Sequence, residues 1–402
     1  MTDRAYSPPK VVFPHIQKTG GTTVSQWISR HYHYSQVLRE ASTWLELFEM
    51  SADALDDKRL ICGHFGSAIW SIFGGRNGFR AIALLRDPTD QVVSHFWHLK
   101  HAPDAGRGLA FVRESSFTLL DFLKHPKTQH LVSNYQTANY SATPEQVRSG
   151  FVTHPGNPEM APVDVGVAKD FVDRCDVVGV TDNLSGFVLA LGERFGFFPD
   201  AELHRTRSYK RDETIDAESK RLIQELNELD FELYRHAVSR TNESAKAHSV
   251  GPATNPNQAD RDGVIHWCAG DPFWGCGWSE FVRSELGDHI WSVSTNASIQ
   301  ISVTTGERHF LVFELLRFVA PVQGKFFSIN CNGTEIAPVL IPRGQKGSPM
   351  MFAASLGVAE RSELTIEFKV NRLVGFGEPL ANGPEVERRG LALCSVHLLP
   401  GN

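Results

Sequence analysis

The segment that most constrains the fold of this chain is residues 11–27, VVFPHIQKTGGTTVSQW. A short β-branched apolar run is followed by a turn rich in Gly and Thr and then by a helical pattern, which predicts a strand, a phosphate-binding loop and a helix. Gly20 and Gly21 permit positive φ angles and a close approach of the backbone to a ligand. Thr22 or Thr23 can cap the helix, whose outward N–H groups favour an anion.

Lys18 lies in the same turn and can bring an ammonium group to the same anion. The turn therefore predicts a site for phosphate or sulfate, built from backbone donors, hydroxyl groups and a cation. The nucleotide P-loop, GxxxxGK followed by Ser or Thr, is not matched, because its Lys follows the last Gly whereas Lys18 precedes both glycines. This order argues against an ordinary ATP or GTP site.

Residues 15–23, HIQKTGGTT, resemble the 5′-phosphosulfate loop of sulfotransferases that use 3′-phosphoadenosine 5′-phosphosulfate (PAPS), especially the carbohydrate O-sulfotransferases. Residues 79–100 are similar to the 3′-phosphate segment of the same family, in which a strand ends in Arg-Asp-Pro and the next helix carries a Ser. These positions are Arg86 and Ser94 here. Residues 60–65, LICGHF, are similar to the strand ending in Gly-His of uronyl 2-O-sulfotransferases.

Three further segments match the family less specifically and occur in the same order along the chain: residues 134–140 (NYQTANY), 176–191 (DVVGVTDNLSGFVLAL) and 228–237 (ELDFELYRHA). The resemblance therefore covers roughly the first 240 residues. The resemblance implies PAPS as the donor substrate, no metal requirement, and His64 as the general base that deprotonates an acceptor hydroxyl. It also implies a 3′-phosphate site at Arg86 and Ser94. The residues that it assigns to the 5′-phosphosulfate are Lys18, Thr19, Gly20, Gly21, Thr22 and Thr23.

Three positions depart from the usual family pattern. Gln17 replaces the usual Pro beside Lys18, which should loosen the entry to the loop. Asp90 and Gln91 stand where many relatives have Glu-Arg, so one basic contribution to the nucleotide pocket is expected to be missing.

Histidines and the Arg-Asp-Pro sequence also have structural interpretations. His64 can be a satisfied histidine packed against the sheet, although its place after a strand suits a base near neutral pH. His15 is expected to be structural. His95 and His98 are expected to line the cleft or face solvent, since no third ligand has metal-site spacing. Asp87 and Pro88 also predict a helix start, with Asp87 as N-cap.

Charge and composition indicate the partners to expect. The formal net charge of -6 argues against a nucleic-acid partner, and the resemblance implies a carbohydrate or glycolipid acceptor. A basic run at residues 204–211, HRTRSYKR, is either a solvated loop or part of the nucleotide or acceptor site. Its binding candidates are Arg205, Arg207, Lys210 and Arg211.

The chain has no apolar run long enough to span a membrane. Its first ten residues, MTDRAYSPPK, contain no apolar segment, so we expect no signal peptide. We therefore expect a bacterial, cytoplasmic enzyme. A lipid-linked acceptor would still allow peripheral membrane contact. Six scattered cysteines make no zinc signature and are expected to be free thiols. The sequence does not indicate the oligomeric state.

The sequence pattern changes after about residue 239. Strands near Val11, Leu60, Ala81 and Val177 alternate with helices before that point, which predicts an α/β fold, a P-loop-like three-layer parallel sheet. The helices are expected near Thr22, Ser42, Thr89, Thr118, Gln129, Leu184 and Ala217. We therefore assign residues 1–240 to a sulfotransferase domain, 241–262 to a polar linker and 263–402 to an accessory domain.

The accessory domain reads as short alternating strands separated by Gly, Asn and Pro turns, which predicts an all-β sandwich, jelly-roll-like. Asn332-Gly333 indicates a two-residue hairpin. Trp274 and Trp278 either stack on sugar rings or lie in the core. The segment also looks like a β-domain appended to bacterial glycan-modifying enzymes.

The sequence is also compatible with two other functions. The first is a nucleotide-dependent phosphotransferase, which would use a Mg²⁺-binding Ser or Thr after a P-loop Lys. The second is a glycan-binding protein, in which the β-domain carries the function and the α/β domain is inactive. Lys18, Arg86, Ser94 and His64 argue against the last interpretation.

Overall fold

The structure is a computed structural model. It describes residues 8–38, 47, 49–74, 78–101, 109–143, 146, 163–197 and 215–244, followed by 265–269, 271–272, 275–276, 278–282, 288–292, 296–318, 327–341, 349–370, 374–375, 388–389 and 391–401. Several predictions fall outside these residues: the helix near Ser42, the side chain of Trp274, and the basic candidates Arg205, Arg207, Lys210 and Arg211.

The N-terminal part is built on a parallel sheet of five strands in the order β2-β3-β1-β4-β5. The strands are β1 (Lys10–Pro14), β2 (Val37–Leu38), β3 (Leu60–Gly63), β4 (Phe79–Leu85) and β5 (Val177–Val180). The predicted strands near Val11, Leu60, Ala81 and Val177 are confirmed. β2 was not predicted, because two residues are too few to show a period.

Eleven α-helices lie in the described part of the chain. They are α1 (Gly21–Ser29), α2 (Ala52–Asp56), α3 (Trp70–Phe73), α4 (Pro88–His101), α5 (Leu119–Lys124), α6 (Gln129–Val132), α7 (Tyr135–Ser141), α8 (Val165–Arg174), α9 (Leu184–Phe195), α10 (Ala217–Leu226) and α11 (Glu228–Ser244). The predicted helices near Thr22, Thr89, Thr118, Gln129, Leu184 and Ala217 are confirmed.

Helices cover both faces of the parallel sheet. Ile82 and Leu84 of β4 pack with side chains of α1 and α9, whereas Ala83 and Leu85 pack with α4 and α11. Side chains of a strand alternate between the two faces of the sheet, so a strand buried on both faces reads as a continuous apolar run. These contacts confirm the α/β architecture with three layers.

The C-terminal part contains two larger antiparallel sheets, one of five strands in the order β13-β12-β16-β10-β7 and one of seven. In the seven-stranded sheet the order is β14-β15-β11-β19-β9-β8, with β6 beside β19. The strands are β6 (Ile265–Cys268), β7 (Gly275–Cys276), β8 (Trp278–Val282), β9 (His289–Ser292), β10 (Asn296–Ser302), β11 (Arg308–Phe318), β12 (Phe327–Cys331), β13 (Thr334–Ile336), β14 (Val339–Ile341), β15 (Met350–Val358), β16 (Glu363–Val370), β17 (Val374–Gly375), β18 (Arg388–Arg389) and β19 (Leu391–Gly401).

One hydrophobic core joins the two antiparallel sheets. Phe313 of β11 stacks on Phe352 with ring centroids 5.2 Å apart and meets Phe368 of the other sheet at 5.4 Å. The all-β region with two packed sheets is therefore confirmed, while its jelly-roll connectivity stays a prediction. Trp278 is fully buried, so the interpretation that it is exposed for sugar stacking is wrong.

The hairpin between β12 and β13 confirms the Asn-Gly prediction. Asn332 has φ 50° and Gly333 has φ 85°, and Cys331 pairs with Thr334 across the turn. Two consecutive positive φ angles define the turn that matches the twist of the flanking strands.

The last helix of the α/β part, α11, ends at Ser244, four residues beyond the boundary predicted at 240. The first described strand of the all-β part begins at Ile265. None of the six cysteines forms a disulfide bond. Among the described residues, no helix has both the length and the apolar composition that a membrane span requires.

Candidate functional site

The turn between β1 and α1 has an unusual backbone conformation. Lys18 has φ 68° and Gly20 has φ 87°, while Thr19 between them has a negative φ. A positive φ is strained for a residue with a β-carbon and marks positions that the surrounding structure imposes. Alternation of left- and right-handed residues is the conformation that gathers successive N–H groups into an anion-binding concavity.

The start of α1 differs from the prediction. Gly20 occupies the N-cap position and α1 begins at Gly21, so Thr22 and Thr23 lie inside the first turn and neither caps the helix. The left-handed conformation at Gly20 starts the helix before the chain reaches either threonine.

Three consecutive carbonyl groups of this turn are held by side chains from other elements. Nε2 of Gln91 lies 3.4 Å from the Gln17 oxygen, and Nη1 of Arg86 donates to the Lys18 oxygen at 2.9 Å. Oγ1 of Thr181, which follows β5, donates to the Thr19 oxygen at 2.6 Å. These donors fix the direction of each peptide group.

The N–H groups of the turn point the opposite way. In a planar trans peptide the C=O and the following N–H are antiparallel, so the bonds to the Lys18 and Thr19 carbonyls turn the N–H groups of Thr19 and Gly20 away from Arg86 and Thr181. No described residue accepts a hydrogen bond from the N–H of Thr19, Gly20 or Gly21. Such donors at the N-terminus of a helix suit an anionic group of a ligand.

Gly21 is required by a close packing contact. A β-carbon at Gly21 would lie 2.4 Å from Nδ1 of His15, which is far inside van der Waals contact. His15 is 9% exposed and packs against His64 with ring centroids 4.3 Å apart. The structural role predicted for His15 agrees with this position between the helix start and the next strand.

His64 follows β3 directly and lies beside the phosphate loop. Its Nδ1 is 3.1 Å from the carbonyl oxygen of His15. A carbonyl oxygen only accepts, so Nδ1 carries the proton and Nε2 of the neutral ring has the lone pair. No described residue is hydrogen-bonded to this Nε2 atom, which leaves it able to accept a proton from a substrate.

Two histidines near the loop are held neutral. Burial lowers the pKa of His64 below its ordinary value, with a further lowering from the charge of Lys18, although the hydrogen bond to the His15 backbone opposes the shift. Burial and then the charge of Lys18 lower the pKa of His95 strongly. The ammonium group of Lys18 therefore acts electrostatically on both imidazoles.

Arg86 lies between the loop and the start of α4. Its guanidinium donates to the Lys18 carbonyl oxygen and lies 3.9 Å from the carboxylate of Asp90. The Arg86 side chain is 16% exposed. Asp87 caps α4 by accepting from the N–H of Asp90 at 3.2 Å, as predicted for the Arg-Asp-Pro sequence. Ser94 is half-buried in α4, on the same element as Asp90.

The backbone of Arg86 is held by a polar network that the sequence did not reveal. Gln136 of α7 accepts from the Arg86 N–H at 3.0 Å and donates to its carbonyl at 2.8 Å. Asp230 of α11 accepts from the N–H groups of Gln136 and Thr137 at 3.0 and 2.7 Å. Asn134 in return accepts from the Asp230 N–H at 3.3 Å, so the two helix starts cap each other.

His95 occupies a buried position on α4. It is 2% exposed, so the solvent-facing alternative predicted for it is wrong, whereas the half-buried His98 is more accessible. Nδ1 of His95 lies 3.4 Å from Nε2 of Gln91, and its ring packs edge-on against Tyr135 at 5.3 Å. Gln91 thus contacts both the loop and His95.

The structure brings together Lys18, Gly20, Gly21, Arg86 and His64 among the predicted site residues. It adds Gln91, Gln136, Thr181 and Asp230, whose signals in the sequence were weak. Gln136 and Asp230 lie in the softer matches to the sulfotransferase family, and Thr181 directly follows a strand. Within the described ranges, no group of three or more His, Cys, Asp or Glu side chains is arranged to hold a metal ion.

Neither family models nor curated proteins matched this chain. Solved structures with some similarity include the C-terminal CBM6 of LamC, a marine laminarinase from Zobellia galactanivorans, at 9% identity and TM-score 0.23, covering 34% of this chain and 98% of that one. A family 35 carbohydrate-binding module from Clostridium thermocellum has 11% identity and TM-score 0.23, covering 34% and 98%. An α-L-fucosidase from Vibrio sp. strain EJY3 has 15% identity and TM-score 0.20, covering 36% and 23%.

These similarities are too low to transfer an activity or a fold family to this chain, since the TM-scores are 0.20–0.23.

Proposed function

We propose that the α/β part of this chain is a PAPS-dependent O-sulfotransferase acting on a carbohydrate or glycoconjugate hydroxyl. The observation that carries the proposal is the β1–α1 turn, in which side chains of other elements hold the carbonyls of Gln17, Lys18 and Thr19 and no described residue accepts from the amides of Thr19, Gly20 and Gly21. A phosphosulfate offers the anionic oxygens that such donors bind.

The chemistry suits the side chains around the turn. Sulfuryl transfer between oxygens resembles phosphoryl transfer, in which catalysis consists mainly of positioning and charge stabilisation. Lys18 and the loop amides would stabilise the charge that develops on the leaving phosphate. Thr22, which is exposed, and Thr23 lie in the first turn of α1, where their hydroxyl groups can assist.

His64 supplies the base in this proposal. As the acceptor oxygen forms its bond to sulfur, the S–O bond to the 5′-phosphate of the donor breaks, and the leaving phosphate takes the electron pair. The acceptor proton passes to Nε2 of His64, whose Nδ1–H is already bound to the His15 carbonyl at 3.1 Å. The lowered pKa of His64 keeps this nitrogen unprotonated at neutral pH.

The 3′-phosphate of the donor is assigned to Arg86 and Ser94 by the family resemblance alone. The position of Arg86 next to Lys18 supports this assignment, because one guanidinium can donate to the loop and to a phosphate at once. Asp90 acts against it, because its carboxylate competes for the same guanidinium.

Calorimetry of adenosine 3′,5′-bisphosphate (PAP) with the purified chain tests the proposal. We expect micromolar binding that exceeds the binding of AMP and ATP and that is lost in Lys18→Ala. Transfer of radiolabelled sulfate from PAPS to a panel of glycans then tests the reaction. No binding of PAP, or a preference for ATP with Mg²⁺, would overturn the proposal, and the second result would favour the phosphotransferase alternative.

Binding to a glycan array tests the glycan-binding alternative. The two antiparallel sheets form an independent core, and carbohydrate-binding modules are among the similar structures, but their TM-scores of 0.22–0.23 assign no ligand to this chain. A chain that binds glycans on an array and does not bind PAP would support this alternative in place of the enzyme.

A further inference from the structure

A hydrogen-bonded relay runs from the phosphate loop to a buried histidine. Nε2 of Gln91 lies 3.4 Å from the Gln17 carbonyl oxygen and 3.4 Å from Nδ1 of His95. Gln91 is fully buried and His95 is 2% exposed, so water does not compete for these bonds. The relay includes Gln91 and ends on the backbone of Gln17, and both are positions at which the chain departs from the sulfotransferase pattern.

The direction of each bond follows from the chemistry of the groups. The Gln17 oxygen only accepts, so the amide nitrogen of Gln91 faces it and the amide oxygen does not. The same nitrogen has two protons and no lone pair to offer, so Nδ1 of His95 must accept. A neutral imidazole that accepts at Nδ1 carries its proton at Nε2.

His95 and His64 are therefore held in opposite tautomers beside the same lysine. His64 donates from Nδ1 and keeps a lone pair on Nε2, whereas His95 accepts at Nδ1 and keeps a proton on Nε2. No described residue is hydrogen-bonded to Nε2 of His95. The two rings thus offer an acceptor and a neutral donor.

We infer that Gln91 is a positioning residue that fixes His95 as a neutral hydrogen-bond donor to an oxygen of the sulfuryl group bound at Lys18. This inference rests on the proposed function. The donor would hold the group to be transferred while His64 removes the acceptor proton, and a neutral donor adds no further cation next to Lys18. His95 also lies in the electrostatic field of Lys18, which lowers its pKa.

Nitrogen-15 spectra of the imidazoles test the tautomer directly. We expect His95 in the wild-type chain to carry its proton on Nε2, and Gln91→Met, which keeps the side-chain length but removes the donor, to lose that preference. A wild-type His95 protonated on Nδ1 would overturn the inference whether or not the chain is a sulfotransferase.

Calorimetry with PAPS and PAP tests contact with the sulfuryl group without needing an acceptor. His95→Met should weaken PAPS binding by about 10-fold, because a hydrogen bond to a charged group is lost, and should leave PAP binding unchanged. His95→Gln, which keeps an N–H donor, should recover most of this loss. His98→Met, one turn along α4, is the control and should change neither affinity.

The outcomes separate the two proposals. Equal loss of PAPS and PAP affinity in His95→Met, or no loss of either, would overturn the role of His95 while leaving the sulfotransferase proposal intact. A wild-type chain that binds neither nucleotide would overturn the sulfotransferase proposal, and with it the sulfuryl contact, whatever the tautomer.

Discussion

Nη1 of Arg86 lies 2.9 Å from the carbonyl oxygen of Lys18. The residue that the family resemblance assigns to the 3′-phosphate therefore also holds the loop assigned to the 5′-phosphosulfate. Lys18 needs such support, because its φ of 68° is unfavourable for a residue with a β-carbon. The two ends of the proposed nucleotide site are linked through a single side chain.

Removal of the Arg86 side chain should weaken binding of a nucleotide that has no 3′-phosphate. A hydrogen bond from a charged group contributes about 1.5–3 kcal/mol, so we expect Arg86→Ala to reduce affinity for adenosine 5′-phosphosulfate by roughly 10- to 100-fold. The matched variant Ser94→Ala should reduce affinity for PAPS only. Calorimetry with both nucleotides measures the two effects, and unchanged binding of adenosine 5′-phosphosulfate in Arg86→Ala would show that the loop does not depend on this contact.

The two glycines of the loop should respond differently to an added methyl group. Gly21→Ala places a β-carbon 2.4 Å from His15 Nδ1, so the helix start or His15 must move and PAP binding should be lost. Gly20→Ala meets its nearest atom at 3.6 Å and is opposed mainly by its φ of +87°. The cost of that conformation is about 1–2 kcal/mol.

Gly306→Ala is the control for backbone strain, since Gly306 also has φ +87° and no atom within 4 Å of the added carbon. Urea unfolding should give similar destabilisation for Gly20→Ala and Gly306→Ala, while only the first weakens PAP binding. Normal PAP binding in Gly21→Ala would contradict the role assigned to the loop.

Much of the fold was predictable because buried parallel strands and alternating antiparallel strands have distinct patterns. The apolar runs at Val11 and Ala81 predicted central strands, and Asn332-Gly333 predicted a hairpin turn. The two-residue strand β2 carries no such pattern. The end of α11 at Ser244 was missed because polar residues at the end of a helix resemble those of a linker.

The site was predictable where the chemistry is local and not where it depends on distant segments. Lys18, Gly20 and Gly21 lie within one turn, and His64 follows a strand directly. The carbonyl of Lys18 is held by Arg86, which is 68 residues away in the chain. The cap predicted at Thr22 or Thr23 was wrong because the left-handed Gly20 starts the helix before the chain reaches either threonine.

Replacement of His64 should separate nucleotide binding from turnover. General-base catalysis contributes about 10²–10⁴-fold, so His64→Ala should lose that much of kcat with a carbohydrate acceptor found in the glycan panel. PAP affinity should stay near the wild-type value, because the loop amides are untouched. Near-normal kcat in His64→Ala would remove the base assignment and leave the enzyme class open.

Removal of the Lys18 charge should raise the pKa of both nearby histidines. A neighbouring cation disfavours imidazolium, so Lys18→Met relieves that effect at His64 and His95 and both should protonate at higher pH. In the wild-type chain the base form of His64 persists below pH 6.5, the ordinary pKa, and the acid limb of kcat/KM should lie there.

An NMR titration of the imidazole protons measures these shifts without an acceptor. Lys100→Met is the control, because the Lys100 charge lowers the pKa of His101 and should leave His64 unaffected. A His64 pKa that is unchanged in Lys18→Met would place the ammonium group away from the proposed base.

The buried carboxyl of Asp230 should make the chain less stable as pH rises from about 4 to 6. Burial raises the pKa of Asp230 from 3.8 to about 6, against the opposing effect of its bonds from Thr137 and Gln136. Between these values the folded state binds more protons than the unfolded state, so the free energy of unfolding falls with increasing pH. A shift of this size corresponds to about 3 kcal/mol.

Asp230→Asn should remove this slope, since its amide stays neutral across the range. Urea unfolding between pH 4 and 7 measures it. Asp216, the exposed N-cap of α10, provides a control of opposite sign: its pKa is lowered by the Ser219 hydrogen bonds, so its contribution is present at neutral pH and is lost as pH falls. Asp216→Asn should therefore lower stability by a similar amount from pH 7 down to pH 4 and leave the slope of the wild-type chain in place, because the Asp216 contribution is lost only below its unfolded pKa of 3.8. The contrary result would be a wild-type stability that does not fall between pH 4 and 6 and a slope that Asp230→Asn leaves unchanged. It would show that the three hydrogen bonds to Asp230 stabilise the ionised carboxyl in the folded state as strongly as water does in the unfolded state.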